Sequence, residues 1–183
     1  MNNILSLVKN STNTLPKFGN VIAQNADGEI YELNEKAIKF GIVYNSDNPV
    51  SEYKSIEKVL FFLKDRNIPC FTKIFDSKFL GVKDGNLLFY YVMEKLKPIT
   101  DDEQRVFHTL LSNRYNSYQL RKVLSEMRRG LDFDERKVTF FYETFASCPM
   151  SHSDAHARNL MKDSYGNFKF VNPERCVFKK GNY

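Results

Sequence analysis

The sequence predicts an α+β fold in which a β-rich first half carrying one helix precedes a mainly helical second half that ends in a small hairpin. Three observations point there. Short β-prone runs separated by turn residues fill positions 18–44 and 70–96, apolar residues recur three and four apart over 48–69 and 100–148, and two late apolar runs bracket Asp-Ser-Tyr-Gly-Asn. The expected division lies between residues 1–96 and 97–183.

In chain order, VIAQ (21–24), EIYEL (29–33) and KAIKFGIVY (36–44), separated by NADG and NE, read as a three-stranded antiparallel meander. In NPVSEYKSIEKVLFFLKDRNIP (48–69), Asn48 is the expected N-cap, Pro49 takes the first helical position, and Asn67-Ile68-Pro69 marks the stop. Residues 70–96 return to strand character around an Asp84-Gly85 hairpin turn, completing a sheet of about five strands. Segments 100–115, 118–130 and 132–148 have polar or acidic starts followed by helical apolar spacing, and NLMKDSYGNFKFV (159–171) reads as a hairpin.

Composition narrows the function classes. No apolar run approaches the roughly 20 residues that cross a bilayer, and the first residues, MNNILSLVKNSTNTLPKF, lack the centre and cleavage site of a secretory signal, so the expected location is the cytoplasm. The three cysteines, Cys70, Cys148 and Cys176, form no C-x-x-C pair and read as reduced packing thiols. A net charge of +5 favours acidic partners, but only modestly. Arg105, Arg114, Arg121, Lys122, Arg128 and Arg129, with Tyr115 and Tyr118 among them, make a basic helical stretch that suits an acidic protein or a nucleic-acid backbone, although such runs are commonly solvated helix faces.

Two constellations carry chemistry. In the helix at 48–69, Val59, Leu60 and Leu63 cluster within about 60° of Ile56, and Glu52 lies about 40° away on the same face, whereas Glu57 is about 100° off and solvated. An inward carboxylate needs a partner, and Lys39 on the preceding strand is the candidate. The second constellation is SHSDAHARNLM (151–161), with His152, Asp154, His156 and Asn159. H-x-D-x-H is also a metal-ligand spacing in some hydrolases, but such sites need further ligands, and the only other histidine is His108.

A strand lysine paired with a glutamate from the next helix, followed by H-x-D-x-x-x-x-N and a hairpin, resembles the protein-kinase-like two-lobe fold. AIKF sits at the lysine strand, YYVMEKL (90–96) where the last N-lobe strand enters the hinge, and the order of elements matches along nearly the whole chain. The variant D-x-H-x-x-N is similar to aminoglycoside and choline phosphotransferases and to small phage-type serine/threonine kinases.

The resemblance implies an N-lobe at 1–96, an abbreviated helical C-lobe at 97–183, and ATP with Mg²⁺ or Mn²⁺ as cofactors. Lys39 would hold phosphate and Glu52 would position Lys39; Asp154 would be the base, with His152 supporting the loop and His156 near the transferring phosphate. Asn159 and Asn172 would face the metal, Gly19 would belong to the phosphate-covering loop LPKFGNVIAQ, and Met93, Glu94 and Lys95 would form the hinge at the adenine. The implied partners are ATP and a host protein in the host cytoplasm, with nucleic acid less favoured and no membrane.

The pattern is departed from in three places. Asn172 stands where the family has a metal-binding aspartate, Gly19 is alone where G-x-G-x-x-G has three glycines, and no activation segment or peptide-docking helices are expected in the eleven residues given after Asn172. These departures carry the alternative: a catalytically impaired pseudokinase, or a kinase-shaped binding protein that inhibits a host partner.

Overall fold

The computed structural model describes residues 17–25, 28–44, 47–113 and 115–179. Outside them lie the segment read for a leader (1–16), the middle of the NADG turn and Arg114. The chain is mixed α+β and divides into two compact units. One comprises the residues up to Asn67 with Lys73–Lys95; the other comprises Ile68–Thr72 and everything from Leu96 onward.

The first unit is a five-stranded antiparallel sheet of β1 (Val21–Asn25), β2 (Gly28–Leu33), β3 (Lys36–Val43), β4 (Ile74–Lys83) and β5 (Asn86–Glu94), in the order β1-β2-β3-β5-β4. Two-residue connections explain its tight hairpins. Asp84 and Gly85 both take positive φ, 52° and 75°, as a hairpin turn matched to the strand twist requires. Alternation sorts side chains onto two faces. One carries Tyr31, Ile38, Phe40, Ile42, Leu88, Tyr90 and Val92, with Phe18 packed against Tyr31 and Phe40 at ring distances of 4.8 and 5.3 Å. The other carries Lys39, Phe89 and Tyr91 and receives helix α1 (Pro49–Asp65) through the Tyr53 and Phe79 rings, 4.7 Å apart.

Helix α1 starts as expected. The Asn48 side chain accepts from Ser51 N at 3.1 Å and Pro49 follows, a cap that contributes about 1 kcal/mol. Tyr53, Ile56, Val59, Leu60 and Leu63 are its buried face. Burial and the neighbouring Glu57 carboxylate push the Tyr53 phenol up to about 12.

The second unit holds α2 (Asp101–Leu111), α3 (Ser117–Met127) and α4 (Glu135–Ser147). Thr100 with Glu103 and Asn116 with Gln119 form reciprocal caps on α2 and α3, which is why both helices begin where the polar residues stand. The core is aromatic. Phe141 lies 5.2 Å from Phe107 and 5.3 Å from Phe170, and Phe107 lies 4.7 Å from Phe168. Strands β8 (Leu160–Lys162) and β9 (Phe168–Phe170) form the expected late hairpin.

Three further strands were not legible in the sequence. β6 (Lys97–Pro98) joins the edge of β8, and β7 (Met150–His152) pairs with β10 (Cys176–Phe178), bringing Cys176 opposite His152. The three cysteines are free and buried, as expected of packing thiols. Among the described residues no helix is long and apolar enough to cross a membrane.

Candidate active site

In the first unit, Lys39 lies on the face that α1 covers, opposite Ile30 on β2 and Tyr91 on β5, with its ammonium 5.9 Å from the Tyr91 ring centre. It is 1% exposed. A glycine makes room for it: a Cβ on Gly28 would sit 2.4 Å from the Phe40 carbonyl and 2.9 Å from Lys39 Cε. Gly28 was missed because NADG reads only as a turn. The available signal was that a glycine opening β2 stands across from the strand that carries Lys39.

Gly19 lies elsewhere. It precedes β1, donates its N–H to the Glu32 carbonyl at 2.8 Å, is exposed, and shows no positive φ. Gly19 extends the β1–β2 ladder, and Gly28 is the glycine beside the lysine.

Glu52 also departs from expectation. It is half-buried in the first turn of α1, in a surface hollow shared with Val43, Tyr44 and Asn48, and among the described residues no ion pair joins it to Lys39. The helical wheel gave its direction but not its height. Helix α1 starts soon after β3 ends, so its first turn stands beside Val43, and Lys39 is four residues back along the strand, about 13 Å. One turn further along, the inward position is held by Ile56.

Of the expected hinge, Met93 and Glu94 end β5 and Lys95 follows it. Met93 is buried between Ala37 and Ile74 on the neighbouring strands, Glu94 donates its N–H to Lys73 O at 3.1 Å and accepts from Lys73 N at 2.7 Å, and Lys95 forms an exposed 2.8 Å ion pair with Glu32. The Glu32 carboxylate beside Lys95 raises its ammonium. The Glu94 N–H is therefore already committed.

In the second unit the loop after β7 is assembled by contiguous contacts. His152 is buried, stacks on Phe170 at 4.8 Å, and accepts the Asp154 N–H on Nδ1 at 3.2 Å. Asp154 is exposed. Its carboxylate Oδ2 accepts from Asn159 Nδ2 at 2.9 Å, and the same amide donates to the Asp154 carbonyl at 2.8 Å. The Asn159 Oδ1 accepts from Asn172 Nδ2 at 3.0 Å. Asp154, Asn159 and Asn172 thus form one hydrogen-bonded line.

The surrounding backbone holds that line in place. Val171 N donates to Asn159 O at 3.0 Å, linking the loop to the end of β9, and the Ser153 hydroxyl donates to Arg175 O at 2.6 Å. Half-buried His156 accepts Arg158 N–H on Nδ1 at 3.3 Å, capping the single turn 157–159, while the Arg158 side chain is exposed. An imidazole nitrogen that accepts carries no proton, so His152 and His156 act here as structural acceptors.

The residues expected to face Mg²⁺ do not fit it. A hard divalent cation selects anionic oxygens. Asn159 and Asn172 are neutral, and they meet as donor and acceptor. Among the described residues no group of three or more His, Cys, Asp or Glu side chains is gathered to hold a metal ion.

The basic stretch is a partly compensated surface. Arg105 approaches Asp102 at 3.8 Å and Arg128 approaches Glu135 at 3.5 Å, while Arg121, Lys122, Arg129 and Tyr118 are exposed. Comparison of the chain with protein-family models and with curated protein sequences returns no match.

Proposed function

We propose that this chain is a kinase-like phosphotransferase of the small, phage-type serine/threonine class, with ATP as donor and a hydroxyl of a host protein as acceptor. The observation that carries the reading is the exposed Asp154 carboxylate, oriented by the Asn159 amide in a loop closed against the end of β9. Asp154 takes the proton of the acceptor hydroxyl as its oxygen attacks the γ-phosphorus, the bond from that phosphorus to the β–γ bridging oxygen breaks, and ADP leaves.

A second reading has its own support. The Asn172 amide facing Asn159, and a Lys39 without Glu52 as its ion-pair partner, favour an impaired kinase-shaped protein that acts by occupying a host partner.

Incubation with γ-labelled ATP and Mg²⁺ or Mn²⁺, read on the chain itself and on cell extract, separates the two. Transfer by the parent that Asp154→Ala removes supports the enzyme. Transfer by Asn172→Asp alone supports an inactivated relative. No transfer and no ATP-dependent thermal shift for any version sinks the enzyme reading.

A further inference from the structure

We infer that an amide hydrogen of Asn172 takes the place a divalent cation would hold in a kinase-like loop, so that Asn159, and through it Asp154, is positioned without metal. The inference rests on the kinase-like reading for the correspondence of position 172, but its chemistry depends only on the two amides.

A cation between two side chains requires a lone pair from each, both aimed at one point. Here the Asn172 group aimed at Asn159 Oδ1 is an N–H donor, 3.0 Å away, in a buried contact. Asn159 is thereby satisfied at both ends: its Nδ2 donates to the Asp154 carboxylate and carbonyl, and its Oδ1 accepts from Asn172. Asn172 and Asn159 are 6% and 9% exposed, so neither amide could leave this bond for water without cost.

An aspartate at 172 has nearly the same shape and no N–H. It would set a carboxylate oxygen against the Asn159 oxygen, an arrangement that calls for a cation or a proton. One atom therefore separates a loop that is complete without metal from one that needs it. Asn172 is a positioning residue, acting on Asp154 through Asn159.

The test is a titration of the intact chain with Mn²⁺, following free Mn²⁺ by its paramagnetic resonance signal, for the parent, Asn172→Asp and Asn159→Leu. The expected result is that Asn172→Asp binds Mn²⁺ about ten-fold or more tighter than the parent. Its melting temperature should fall in chelator and recover with Mn²⁺, whereas the parent's should not respond. A saturable Mn²⁺ site in the parent that Asn159→Leu removes would overturn the inference, and so would an Asn172→Asp variant that folds and gains nothing. If Asn172→Asp does not fold, the parent and Asn159→Leu titrations decide alone. Failure of every version to transfer phosphate would retire the kinase-like reading and leave these Mn²⁺ results standing.

Discussion

The two halves of the expected site differ in how they are put together. Around Asp154, residues close in sequence or on one hairpin are joined by short hydrogen bonds, ending in Asn172 Nδ2 on Asn159 Oδ1 at 3.0 Å. Around Lys39, the expected partner Glu52 comes from a different element and makes no ion pair with it among the described residues. A loop motif carries its own geometry, because the spacing of its residues nearly fixes their distances. A strand–helix pair depends on how far along the strand the helix starts, which no spacing rule records.

The largest effect that separates the halves is on chemistry. Asp154→Ala is expected to slow label transfer by roughly 10²–10⁴-fold, the range for a lost general base, whereas Glu52→Gln should change it by less than about three-fold, under 1 kcal/mol. A Glu52→Gln loss as large as that of Asp154→Ala would restore the lysine–glutamate pair.

The next effect is on stability of the first unit. Gly28→Ala pushes a methyl group into the Phe40 carbonyl and the Lys39 stem and should cost about 1–3 kcal/mol in urea unfolding. Gly19→Ala meets only ordinary contacts at 3.4 Å and should stay within about 0.5 kcal/mol. Equal losses would contradict the tighter packing at Gly28.

Smaller still are the couplings. Double-mutant cycles should give about 1 kcal/mol between Asn159→Ala and Asn172→Ala, a buried hydrogen-bonded pair, and no more than about 0.5 kcal/mol between Lys39→Met and Glu52→Gln.

A separate effect lies at alkaline pH. Burial and the hydrogen bond to Glu29 push the Tyr31 phenol up to about 12, and burial beside Glu57 does the same for Tyr53. The unfolded chain loses these protons near pH 10 and the folded chain near 12, so stability present below pH 10 is lost as pH rises between those values. Tyr31→Phe or Tyr53→Phe should flatten that part of the pH–stability curve; an unchanged slope would contradict the burial of both phenols.

Much of this was legible in the sequence, for reasons specific to each element. Alternation and turn chemistry placed β1, β2 and β3, and Asp84-Gly85 marked its hairpin because both residues tolerate positive φ. The Asn48-Pro49 pair set the start of α1. Strands β7 and β10 were not legible, since three residues carry too little periodicity and their pairing closes across Arg175 to Ser153 rather than within one run. The Asp154–Asn159 contact follows from spacing; the donor role of Asn172 does not, because only its partner decides which end of an amide is used. Glu52 failed because a face is an angle, and contact with Lys39 also needs the right height.

The most direct test of the Asp154–Asn159–Asn172 line is the exchange of the Asn159 and Asn172 side-chain amide protons with solvent, followed by NMR on the intact chain without added metal. The expected result is protection of both amides, with the Asn159 proton that meets the carboxylate shifting and losing protection in Asp154→Ala while the one on the Asp154 carbonyl and the Asn172 amide stay protected. Exchange of both at the rate of free amides, unaffected by Asp154→Ala, would contradict it.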